Sequence, residues 1–64
     1  MSANGQTLLA ALMLRMRRDR YHPTAEDLMA LRMTGVTKRD VEAAFVLDKD
    51  DVIFQNALQL LSQL

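Results

Sequence analysis

The sequence predicts an all-α fold, a compact bundle of about four short helices with a helix-turn-helix order in its middle. Three observations lead there. Apolar residues recur at three- and four-residue spacing along the chain. Two of these runs are preceded by a threonine with an aspartate three residues later, the pattern of a helix start. No stretch alternates strictly, and the one run of strand propensity, Ala43-Ala44-Phe45-Val46-Leu47, has no second strand to pair with.

The chain has 64 residues, so it forms a single domain, residues 1–64. The polar residues 1–6 are expected to be frayed. From Thr7 to about Tyr21, Leu9, Leu12, Met13 and Met16 fall on one helical face. Arg15, Arg17, Arg18 and Arg20 follow in the last turns, where cations complement the negative end of the helix dipole. His22-Pro23 is expected to end this helix, because the residue before proline is pushed out of helical geometry. Thr24, with Asp27 three residues on, starts a short second helix to about Met33, with Ala25, Leu28 and Leu31 on its buried side. Gly35 then supplies the positive φ that commonly closes a helix. Thr37 with Asp40 starts a third helix that buries Val41, Ala44 and Phe45 and ends near Leu47. Within Asp48-Lys49-Asp50-Asp51 the acidic residues suit the start of a fourth helix, roughly Asp50 to Leu64. Eight of its thirteen residues from 52 to 64 are apolar. That exceeds the three or four per two turns that one buried stripe requires. The fourth helix is therefore expected to be covered on two sides, by its own domain and by a partner. Placement in the middle of the monomer's own core is the competing explanation.

Composition narrows the function. Cysteine is absent, which excludes disulfides and thiolate metal sites. A chain this short is marginal without a staple, a partner or very good packing. The five methionines read first as pliable core. No run approaches the roughly 18 apolar residues of a membrane span, and the start lacks the pattern of a signal peptide. The cytoplasm is the expected compartment. His22 is the single histidine, and the two serines stand near opposite ends. A nucleophile with its base is not assembled by this sequence, so the protein is expected not to be an enzyme and to take no small-molecule substrate. Asp48 and Asp50 match the first ligands of a calcium loop, but Ile53 and Gln59 stand where its glycine and glutamate belong. Metal and cofactor are expected to be absent.

Net charge is zero but unevenly divided. Residues 1–39 hold seven basic residues against three acidic, a balance of +4, and residues 40–64 hold one against five, a balance of −4. Such a split can steer a charged partner to one end.

Two binding roles follow. In the first, the apolar last helix docks against another protein or its own copy through Ile53, Ala57, Leu60, Leu61 and Leu64, which makes the chain a regulatory or adaptor module. The second rests on a motif. Tyr21 and Thr24, then Gly35-Val36-Thr37-Lys38, Val41 and Phe45, then Lys49-Asp50-Asp51, follow a recognisable order. Over about 30 of the 64 residues this resembles the DNA-binding region of tetracycline-repressor-type regulators. The resemblance implies a helix-turn-helix whose second helix enters the DNA major groove. Lys38 and Arg39 would then lead, with Arg15, Arg17, Arg18 and Arg20 holding the phosphate backbone. Asp40 and Glu42 on the same helix oppose phosphate contact.

Overall fold

A computed structural model describes residues 2–64. Four helices follow in order: α1 (Ala3–Asp19), α2 (Ala25–Met33), α3 (Lys38–Ala44) and α4 (Val52–Gln63), with a short 3₁₀ turn at Val46–Asp48 between the last two. The all-α expectation holds, and among the described residues there is no strand.

Local chemistry sets most of the boundaries. Thr24 and Asp27 form a complete capping box at α2, and Thr37 and Asp40 form another at α3. Each satisfies two backbone N–H groups that the helix start leaves free. Asp51 caps α4 by accepting from the Ile53 N–H at 2.9 Å. The end of α2 is a Schellman turn: the Val36 N–H donates to the Leu31 carbonyl at 3.0 Å and the Gly35 N–H to the Arg32 carbonyl at 3.1 Å. Gly35 takes φ 84° there, a conformation that glycine alone adopts freely. The turn also swings Val36 inward, where it is buried with Leu31, the hydrophobic contact typical of this motif.

Both ends of α1 differ from expectation. The helix starts at Ala3, not Thr7, because Ser2 serves as its cap. The Ser2 hydroxyl accepts from the Gly5 N–H at 3.1 Å and donates to the Thr34 carbonyl at 2.8 Å. Of residues 1–6, expected to be frayed, residues 3–6 have helical geometry with Ser2 as their cap, and Met1 lies outside the described residues. At the other end the helix stops at Asp19, three residues before His22, because Arg20 turns left-handed with φ 53°. Pro23 follows the break and does not cause it. Likewise α3 ends at Ala44 and α4 begins at Val52, so the connection between them is longer than the pattern implies.

The core contains Leu9, Leu12 and Met16 from α1, Leu28 and Leu31 from α2, and Val41 from α3. Phe45 follows α3, and Ile53, Phe54, Ala57 and Leu61 come from α4. Ala25 is exposed in the first turn of α2, whereas Leu28 and Leu31 are fully buried. The Phe45 and Phe54 rings meet edge to face, 4.8 Å between centroids, an arrangement that adds to simple area burial. The accessible surface is 4241 Å², close to the roughly 4,200 Å² of a folded monomer of this mass. A single copy therefore closes its core as well as an ordinary small protein does.

Candidate functional site

The divided charge of the sequence meets itself inside the fold. The guanidinium of Arg17 grips Asp48 with two nitrogens, one of them 3.1 Å from its acceptor, in a bidentate pair. Arg20 pairs with Asp51 at 2.6 Å. These two bridges tie the end of α1 to the segment joining α3 to α4. Pairing with Arg20 and the Ile53 N–H hold the Asp51 carboxyl below its ordinary range, and Arg17 and Arg20 are raised by their aspartates. Arg18 pairs with its neighbour Asp19 at 3.1 Å. Arg15 lies over the Tyr21 ring, 3.9 Å from its centroid, as a cation–π contact. The Tyr21 hydroxyl in turn donates to Asp27. All four arginines expected to hold a phosphate backbone thus have partners within the chain. Among the described residues, Arg32, Arg39 and Lys49 have no ion-pair partner, and Lys38 sits 3.9 Å from Glu42.

The expected docking face of α4 points the other way. Ile53, Ala57 and Leu61 are buried in the chain's own core, Leu60 is half-buried against it, and only Leu64 is exposed, at 41%. The physical reason is that α4 packs against both α2 and α3, while the Arg17 guanidinium lies 5.6 Å from the Phe54 ring centroid. Apart from Val52, the apolar residues of α4 are covered wholly or in part by several neighbours of one monomer. An outside partner is not required to cover them.

Exposed apolar side chains are spread over several elements, with Leu14 on α1, Met29 and Met33 on α2, and a group at the turn before α4. Val46 is 60% exposed, Leu47 90% and Val52 56%. Val46 and Leu47, on the turn after α3, and Val52, the first residue of α4, form an elbow. Phe45 turns into the core, so the next two residues, on a tight 3₁₀ turn, face outward. The elbow is held in place by several bonds. The Asp48 N–H donates to the Phe45 carbonyl at 2.9 Å and the Asp51 N–H to the Asp48 carbonyl at 2.9 Å. The Gln55 side chain donates to the Lys49 carbonyl at 2.7 Å. Arg17 and Arg20 clamp its two aspartates from α1. Leu14, also exposed, lies one helical turn before Arg17 on the same face of α1 and borders the clamp. A sequence signal existed. Five consecutive apolar residues from Ala43 to Leu47 cannot all lie on one face of a helix, so the run exceeds what a single buried stripe holds.

No family model, no curated protein and no solved structure matches this chain.

The segment expected from the sequence to form a helix-turn-helix is made of two short helices. α2, a four-residue turn and α3 follow in order, and Lys38, Arg39, Glu42 and Ala43 face outward. Asp40 is not presented with them. Its carboxylate accepts from the Thr37 N–H at 2.9 Å, which lowers its pKa and ties it into the cap. Among the described residues no group of three donors is placed to hold a metal ion, and no helix is long and apolar enough to cross a membrane.

Proposed function

We propose that the protein is a small non-catalytic helical module that binds another protein chain through the Val46–Val52 elbow. The observation that carries the reading is Leu47, 90% exposed beside Val46 on a turn fixed by hydrogen bonds and two ion pairs. A scattered exposed leucine needs no explanation. An ordered projection of two consecutive aliphatic side chains, with a third at Val52, offers an anchor whose ordering cost is already met by the fold. The role previously expected of α4 passes to this elbow.

A photo-crosslinking residue introduced at Leu47 in the full chain tests it, with the same residue at exposed Gln59 on α4 as the control. A protein adduct in living cells at position 47 and not at 59 supports the reading. No adduct at 47 above the control overturns it.

The second reading is DNA binding through α3. One observation favours it: Asp40 is held in the helix cap, which leaves Lys38 and Arg39 beside each other on the open face. Duplex binding at about 50 mM salt that collapses by about 200 mM would support this reading. No binding at tens of micromolar would exclude it, since non-specific binders reach about 10⁻⁴–10⁻⁶ M.

A further inference from the structure

We infer that the chain seated on the elbow is a second copy of this one, related by a twofold axis; the inference rests on the elbow being an interaction surface. A twofold interface places a patch against itself, so the patch must complement itself. The elbow has that property. Its apolar members Val46, Leu47 and Val52 enclose one cation and one anion, Lys49 and Asp50, both exposed. Among the described residues neither forms an ion pair. Across a twofold axis, Lys49 of each copy comes opposite Asp50 of the other, giving two ion pairs around an apolar centre.

The remaining charge selects against a strongly charged occupant. Arg17 and Arg20 neutralise Asp48 and Asp51, so the elbow with its clamp carries three positive and three negative groups. It exerts no net pull on a strongly acidic or strongly basic protein, and the whole chain, at net charge zero, does not repel its own copy. A polyanion would find no excess of positive charge there, since Arg17 and Arg20 are already paired and Lys49 stands beside Asp50. Three aliphatic residues and Leu14 fall short of the roughly 800 Å² per partner of a standard interface. The dimer is accordingly weak and concentration-dependent.

Sedimentation equilibrium on the pure full chain, from about 10 µM to about 1 mM, tests the inference over the range of weak affinities. The mass is expected to rise toward twice the monomer value. Leu47→Asp should hold it at the monomer value with the helical circular dichroism unchanged. Lys49→Asp should weaken association on the order of tenfold at low salt, and adding Asp50→Lys in the same chain should restore it. A monomer at every concentration overturns the inference, as does a dimer indifferent to Leu47→Asp. If the pure chain is monomeric while a crosslinker at position 47 captures a different protein, the second copy is excluded and the elbow stands as a binding surface. If neither association nor capture occurs, both readings fall.

Discussion

The last helix and the elbow before it are both apolar, yet the fold treats them oppositely. α4 has far more apolar side chains and turns most of them wholly or partly inward, with Val52 at its start left exposed. Ile53, Phe54, Ala57 and Leu61 are buried, while Val46 and Leu47, only a few residues upstream, stand in solvent. The difference lies in periodicity. The residues of α4 recur at helical spacing and find neighbours on α2 and α3. Val46 and Leu47 follow Phe45 on a 3₁₀ turn whose geometry sends one ring inward and the next two side chains out. Apolar content does not distinguish core from surface in a chain this small; phase relative to the core does.

Mutations can break that contrast, and the largest effects belong to α4. Phe54→Ala removes a fully buried ring that Phe45 packs against and should cost about 3–5 kcal/mol. For a domain whose total stability is on the order of 5 kcal/mol, that loss approaches unfolding; thermal circular dichroism should show the transition broadened or gone. Leu61→Glu places a charge at a site 2% exposed and should likewise abolish helicity. Retained helicity in Leu61→Glu would instead mean that Leu61 is not part of the core.

Losing a cap should have an intermediate effect. Thr37→Ala removes the hydroxyl that accepts from the Asp40 N–H and should destabilise by about 1 kcal/mol, read from a urea midpoint. The same caps and clamps predict an acid response. Asp40 is lowered by the Thr37 backbone, and Asp51 by Arg20 and the Ile53 N–H. Burial alone would raise Asp27, but the Tyr21 hydroxyl and Thr24 hold it lowered. These carboxylates have lower pKa values folded than unfolded. Their contribution is therefore complete above the unfolded value near 3.8 and disappears as pH falls through the lower folded values. Urea midpoints should be flat between pH 5 and 7, on the order of the usual plateau, and should drop below about pH 4. A midpoint that rises on acidification would contradict the hydrogen-bond assignments.

At the elbow the smallest effect on stability is expected. Leu47→Asp should leave the urea midpoint within about 0.5 kcal/mol of the parent, because the side chain touches little of the core. Arg17→Ala should also cost little, about 1 kcal/mol or less, as exposed ion pairs do, while loosening the clamp on Asp48.

The helices were legible in the sequence where their signals were local. Thr24 with Asp27, Thr37 with Asp40, and Gly35 each act within four residues of themselves, and α2 and the start of α3 follow from them. The start of α1 was missed because Ser2 is steadied by Thr34, 32 residues away. Its end was missed because an arginine took a left-handed turn usually left to glycine or asparagine. The candidate surface was less legible. The arginine cluster and the acidic run were both visible, but their mutual neutralisation depends on partners 31 residues apart. The apolar surplus of α4 was visible too, but its burial depends on α2 and α3 closing over it.

The most direct test of whether the elbow, and not α4, is the surface that meets another chain is a dilution series of backbone amide NMR spectra on the full protein. Concentration-dependent shifts should cluster at Val46 to Val52 and at the end of α1 around Leu14 to Arg17, with the amides of Ala57, Leu60, Leu61 and Leu64 unmoved. Shifts centred on those four residues of the C-terminal segment would contradict the account, and spectra that do not change from about 10 µM to about 1 mM would exclude a second copy as the chain that meets the elbow.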